Sequence, residues 1–130
     1  MTEEIQELRR WSAEDLMGWY RRSDNPEGYY YSCQTGYREG KVRNWTPDSR
    51  CTGQIWLVVE RMRELGWSFS VFFVKPDQKY VAEFYREPCQ STFVFPQPNG
   101  PNYGWGSNSN PCHAILLSAH IAWSAGREGK

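Results

Sequence analysis

The residues of this chain that are best suited to nucleophilic or acid-base chemistry lie near the C-terminus. His113 and His120 are the only two histidines, and Cys112 directly precedes the first of them. Metal-binding histidines on one helix are normally four residues apart, whereas these two are seven apart. Cys112 and His113 point to different sides of a helix, although the positive end of a helix can lower the pKa of a thiol. We predict structural roles for all three residues and no metal site.

Motifs of the common enzyme classes are absent from the sequence. The chain has no G-x-S-x-G elbow, no Walker A loop, no G-x-G-x-x-G after a strand and no H-E-x-x-H. Its carboxylates are scattered, so no pair can be assigned as general acid and base. We expect a protein that is not an enzyme, with no catalytic residues and no cofactor.

A segment from Gln97 to Asn110 is rich in glycine, asparagine and serine, carries two large aromatic residues, and leads into a predicted helix. Glycine lets backbone amides approach a ligand, helix N-termini attract anions, and aromatic rings stack on nucleobases. We predict that this segment is irregular and forms a concave site for a nucleotide-like ligand. The alternative is an ordered surface loop held by its own aromatic side chains, in which Asn110 only caps the helix. The candidate ligand-binding residues are Tyr103, Trp105, Gly106, Ser107, Asn108 and Asn110, with Arg43 and Arg50 as candidate phosphate-binding cations.

Periodic patterns predict the elements that position this segment. Thr46-Pro47-Asp48 is predicted to open a helix in which apolar residues recur at helical spacing from Ile55 to Leu65, and Gly66 follows as a cap. Asn110 and Pro111 predict the start of a last helix that ends near Ala125. Further elements are a helix from Thr2 to Trp11, a capped restart at Ser12, hairpins from Tyr29 to Gln34 with Tyr37 to Trp45 and from Ser68 to Lys75 with Lys79 to Glu87, and a strand from Phe93 to Phe95.

This order of elements predicts the fold class. Hairpins separated by helices favour an antiparallel-rich sheet covered by helices, an α-β-α sandwich of the α+β class. The length, 130 residues, suits a single domain.

Charge and composition limit the partners. Fifteen basic residues balance 15 acidic ones, so no net charge draws the chain to duplex nucleic acid or to an anionic membrane. No apolar run approaches the roughly 18 residues of a membrane span, and Thr2, Glu3 and Glu4 are unlike a signal peptide, so we expect a cytoplasmic protein. The four cysteines are irregularly spaced and are predicted to be free thiols.

Several short motifs resemble the phage ABA sandwich domain family. They are Met17-Gly18-Trp19, Asn44 to Pro47, Trp56 to Met62, and Asn110 to Ile115. The resemblance covers the chain from about Leu16 to Ala125. It implies helix layers around a sheet, a phage or prophage origin, a location in the cytoplasm of the infected bacterium, and no enzymatic activity. Two departures are the longer segment from Gln97 to Asn110 and an Asn-Pro start of the last helix where Thr-Ala-Pro is common.

Residues and resemblance together predict a function. We expect a non-enzymatic phage protein that sequesters a small nucleotide-derived ligand, such as a host anti-phage immune signal. Phage sponges for such signals are small oligomers, so by analogy a homo-oligomer is expected. The alternative is a phage accessory protein whose exposed aromatic side chains dock on a host or phage protein.

Overall fold

Helices and antiparallel strands make up the structure, which is a computed structural model that describes residues 3–19, 29–30, 43–50, 53–89, 91 and 99–128. The chain divides into two units, Met1–Thr46 and Pro47–Lys130, and each is described by itself. A single domain over the whole chain stays a prediction.

The first unit begins with helix α1, Glu3–Arg10, which continues without a break into a π-helical segment, Trp11–Leu16. Ser12 does not cap a new helix. Its hydroxyl instead donates to the carbonyl oxygen of Arg9 at 3.0 Å and accepts from the indole N–H of Trp45 at 2.8 Å. The predicted restart is therefore wrong, because the side chain expected to cap it holds a buried tryptophan.

Two short strands complete the described part of this unit. Strand β1, Tyr29–Tyr30, pairs antiparallel with β2, Arg43–Asn44. The two strands agree with the antiparallel pairing of the first predicted hairpin at its open end. Its remaining residues, including the predicted turn at Thr35 and Gly36, lie outside the described residues.

The second unit contains two helices. The first begins at Ile55, later than the predicted opening at Thr46 to Asp48, and the second begins at Pro111 as predicted but ends at Glu128, beyond the predicted end near Ala125. Helix α2, Ile55–Glu64, buries four residues of the predicted apolar stripe, and Gly66 follows with φ of +99°, a conformation that favours glycine. Helix α3, Pro111–Glu128, begins where the backbone N–H of Cys112 donates to the side-chain oxygen of Asn110 at 3.0 Å. None of the helices in the described part of the chain is long and apolar enough to cross a membrane.

A three-stranded antiparallel sheet lies against these helices. Its strands are β3, Ser68–Val74, β4, Lys79–Tyr85, and β5, Tyr103–Asn108, in the order β3-β4-β5. Strands β3 and β4 confirm the second predicted hairpin. The strand predicted from Phe93 to Phe95 lies outside the described residues.

Strand β5 is where the structure departs from the sequence-based expectation. The segment from Gln97 to Asn110 was predicted to be irregular, yet Tyr103–Asn108 pairs with β4 along its whole length, from Tyr85↔Tyr103 to Tyr80↔Asn108. Its glycines weaken β propensity, which is why the sequence did not suggest a strand. Packing of α3 against the sheet supplies the missing stability.

Close contact between α3 and β5 requires those glycines. A Cβ atom at Gly104 would lie 2.5 Å from the backbone nitrogen of Ala122, and one at Gly106 would lie 3.0 Å from the Leu117 side chain. Ala122 and Ser118 are fully buried and keep the facing surface of α3 flat. The predicted fold class, α+β with an antiparallel sheet covered by helices, is confirmed.

We expect Gly104→Ala to destabilise the protein by about 1–3 kcal/mol, the usual cost of inserting a methyl group into a packed interior. Two of the three atoms that the new methyl group meets are backbone atoms of Ala122 in α3, which cannot move alone. Gly100→Ala is the matched control, because its Cβ would meet no atom within 4 Å. Urea unfolding measures both variants, and equal midpoints would contradict the proposed close contact.

Candidate functional site

Tyr103, a predicted ligand-binding residue, lies in the protein interior. Its side chain is fully buried, and its hydroxyl donates to Oε2 of Glu83 at 2.5 Å. The hydroxyl of Ser91 donates to the other oxygen of the same carboxylate, which is also fully buried. Burying a carboxylate is costly unless such donors satisfy it. The role we assign to Tyr103 is therefore to satisfy Glu83, and we withdraw it from the ligand site.

The other predicted residues of β5 do not converge on one pocket. Successive side chains of a strand point to opposite faces, so Trp105 and Ser107 share the face of Tyr103, whereas Gly106 and Asn108 share the face covered by α3. Trp105 is 39% exposed. The structure thus distributes these residues over both faces of the sheet, and the predicted concave loop is wrong for Tyr103–Asn108.

Asn110 and Arg50 are brought together at the start of α3. Asn110 caps the helix through its side-chain oxygen, and its amide nitrogen donates to the backbone oxygen of Asp48 at 2.7 Å. The guanidinium of Arg50 donates to the backbone oxygen of Ser109 at 2.9 Å. Two hydrogen bonds therefore hold the Asp48 to Arg50 segment against the helix start. Arg43, the other predicted cation, belongs to β2 of the first unit, and the structure does not describe its side chain.

A cavity of about 290 Å³ opens beside this cluster, between α2, β3 and the first turn of α3. Arg50 is the only charged residue of its described lining. Trp56 and Phe73 are 54% and 47% exposed, and the Phe73 ring lies 5.0 Å from that of Tyr80, centroid to centroid. The remaining lining residues are Gly53, Ile55, Val71, Phe72, Pro111, Cys112 and Ile115. Exposed aromatic rings and one cation at a helix N-terminus therefore line the same cavity.

A larger cavity, about 510 Å³, lies on the other side of Trp56, whose ring centroid is 6.4 Å from that of Phe69. Its lining includes both Glu60 and Arg63 on the outer face of α2. Opposite charges on one wall offset each other, so this cavity attracts an anion less than the one beside Arg50 does. We therefore place the candidate site in the smaller cavity.

Sequence reasoning missed the aromatic part of this site. Trp56 falls outside the apolar stripe of α2. A large aromatic residue on a helix face that is expected to contact solvent was the available sign of a binding surface. Phe73 was assigned to a strand without a preferred face. Neither residue could be linked to Arg50 before the packing of α2 and α3 around β3 was known.

The Cys112 thiol lies on the cavity lining, and its pKa is raised. Burial raises its pKa, the nearby charge of Arg50 opposes that rise, and the charge of Asp48 adds to it. The net effect is a raised pKa of Cys112, opposite to the effect that a helix N-terminus alone would have.

The described residues contain no group of three or more His, Cys, Asp or Glu that could hold a metal ion.

We expect Tyr103→Phe to lower the free energy of unfolding by about 1–3 kcal/mol, because it removes a donor to a buried carboxylate. The control is Tyr85→Phe on the neighbouring strand. The Tyr85 hydroxyl lies 3.3 Å from that of Ser70 and is half-buried, so its removal should cost less stability. Chemical denaturation of both variants makes the comparison. Similar losses would show that the bond to Glu83 has no special role.

The Cys112 thiol should react with iodoacetamide only at higher pH than a cysteine in an unstructured peptide. A raised pKa leaves the thiol protonated at neutral pH, and the thiolate is the reactive form. The rate is measured against pH in a chain whose other three cysteines are replaced by serine. Arg50→Gln should move the profile further upward, because the charge of Arg50 lowers this pKa. A profile at or below that of the peptide would contradict the assignment.

No protein-family model, no curated protein and no solved structure matches the chain. The similarity to the phage ABA sandwich domain family stays a prediction from its short motifs, and the function is argued from the geometry of the cavity.

Proposed function

We propose that this protein binds a small nucleotide-derived ligand in the cavity beside Arg50 and sequesters it without turning it over. The observation that carries the proposal is the composition of that cavity, in which exposed Trp56 and Phe73 share the lining with Arg50, its one charged residue among those described. Aromatic rings stack on a nucleobase, and a guanidinium binds phosphate through two hydrogen bonds. Together they suit a ligand with an aromatic ring and an anionic group.

The size of the cavity restricts the ligand. Small-molecule sites commonly measure about 300–1,000 Å³, and this cavity, at about 290 Å³, lies just below that range. A compact ligand of mononucleotide size fits better than a large one. A larger signal would leave part of itself outside the cavity, along the exposed side of β3.

Binding without turnover is supported by the chemistry of the lining. Cys112 is the nucleophilic side chain among the described lining residues, and burial keeps its thiol protonated by raising its pKa. Its neighbour His113 is not among the lining residues, so no imidazole adjoins the cavity to accept the thiol proton. The lining therefore favours capture over hydrolysis.

The resemblance to phage proteins suggests which ligand is captured. A phage product gains from removing a host-made nucleotide signal of anti-phage immunity, and removal requires affinity rather than catalysis. The alternative function, docking on a host or phage protein, uses the same exposed rings of Trp56 and Phe73. A ligand titration distinguishes the two functions, because only ligand capture requires Arg50 to bind the phosphate of a free small molecule.

We expect the full chain to gain thermal stability with at least one of AMP, cyclic dinucleotides or cyclic ADP-ribose isomers, because a ligand that binds only the folded state stabilises it. Arg50→Gln should weaken that ligand about 10- to 100-fold, the effect of losing a charge-assisted hydrogen bond of about 1.5–3 kcal/mol. Phe73→Ala should weaken it through lost stacking. Thermal shift and tryptophan fluorescence measure both effects.

Two variants serve as controls for this experiment. Arg63→Gln removes an exposed arginine from the neighbouring cavity, and Trp105→Ala removes an exposed aromatic residue from β5. Both should leave affinity unchanged. Heating the complex should release the ligand intact. No shift with any nucleotide, or a loss with Trp105→Ala but not with Phe73→Ala, would contradict the proposed site.

A further inference from the structure

The larger cavity, of about 510 Å³, has a chemistry of its own that the nucleotide site does not use. It lies along the outer face of α2, where Trp56, Glu60 and Arg63 follow one another at helical spacing. Its volume falls within the usual range of small-molecule sites. The other described residues of its lining are Val59, Trp67, Ser68 and Phe69. Two opposite charges and a group of aromatic rings therefore line one cavity.

The two charged side chains of this cavity limit the ligands that it can bind. Glu60 and Arg63 are both exposed, and neither forms an ion pair within the described part of the chain. Residues three apart on a helix have Cβ atoms about 5–6 Å apart. A ligand that contacts both side chains must carry an ammonium group and a carboxylate close together. A free α-amino acid carries both groups on one carbon atom, whereas a long peptide carries them at its opposite ends.

The aromatic rings beside these charges are held by contacts within the protein. The rings of Trp56 and Phe69 meet edge to face, with centroids 6.4 Å apart and an interplanar angle of 88°. Trp67 is buried, and the guanidinium carbon of Arg86 lies 4.3 Å from its ring centroid. Aromatic pairs prefer edge-to-face or offset contacts, and a ring from a ligand can add a further contact of this kind. The cavity therefore suits a ligand with an aromatic side chain.

We propose that the larger cavity binds a free α-amino acid with an aromatic side chain, its ammonium group on Glu60 and its carboxylate on Arg63. The guanidinium donates two parallel hydrogen bonds to the ligand carboxylate, and the ligand ammonium donates to the Glu60 carboxylate. The ligand ring contacts Trp56 and Phe69. Trp56 lines both cavities, but the charged residues of the two sites differ, so neither proposal depends on the other.

Three forms of phenylalanine test the assignment of the two charges. We expect L-phenylalanine to shift the amide NMR resonances of Trp56 and Phe69 in the full chain. N-acetyl-phenylalanine and phenylalanine amide should bind more weakly, because each lacks one charge. Glu60→Gln and Arg63→Gln should each weaken L-phenylalanine binding about 2- to 5-fold, the range for an exposed ion pair. Arg63→Gln should not weaken the amide further, and Glu60→Gln should not weaken the N-acetyl form further.

Controls separate this site from general charge effects and from the nucleotide site. Glu64→Gln removes an exposed carboxylate of the same helix that is not among the described lining residues, so it should leave L-phenylalanine binding unchanged. Arg50→Gln should also leave it unchanged. L-alanine should bind more weakly than L-phenylalanine, because it lacks the ring.

Three results would overturn the proposal. They are equal affinities for the three forms of phenylalanine, equal losses with Glu64→Gln and Glu60→Gln, and no change in the resonances of Trp56 and Phe69. A chain that binds L-phenylalanine in this pattern but binds no nucleotide would support this site and contradict only the nucleotide site.

Discussion

The close approach of α3 to β5 is the contact on which the described structure of the second unit depends. Gly104 and Gly106 leave room for Ala122 and Ser118, so the helix rests directly on the strand backbone. Close packing of small residues maximises dispersion contacts along the length of the helix. It also fixes where α3 begins, and that position determines where Pro111 and Cys112 line the candidate cavity. The candidate cavity is thus a consequence of two glycines on a neighbouring strand.

The same strand carries a buried polar network on its other face. Tyr103 and Ser91 both donate to the carboxylate of Glu83, in the middle of the central strand β4. A half-satisfied carboxylate would strongly destabilise the sheet, whereas a fully bonded one restricts which register β5 can adopt. A shift of β5 by one residue would turn Tyr103 away from Glu83 and point its glycines away from α3. Glycine packing and the tyrosine hydrogen bond therefore specify one register together.

Most of the helices and the central hairpin could be predicted from the sequence, because each depends on local patterns. The stripe of α2, the cap at Asn110 and the β-favouring residues of β3 and β4 are signals within one segment. Strand β5 could not be predicted this way, because its glycines are poor strand formers and are stabilised only by a helix that follows them in the chain. For the site, Arg50 and Asn110 were found from residue type. Trp56 and Phe73 were not, since only the folded arrangement places two distant aromatic residues around one arginine.

Asn110 has an effect beyond capping the start of α3. Its amide bonds the helix and the Asp48 segment at once, so the guanidinium of Arg50 is carried on the same rigid support as the first turn of α3. A charged side chain on a free loop must give up conformational freedom when it grips an anion, and that loss weakens the complex. Here the loop has already been ordered during folding. An anion that enters the cavity would therefore find the positive charge of Arg50 already in position. The conformational entropy of the Arg50 segment is lost when the protein folds, not when the anion binds.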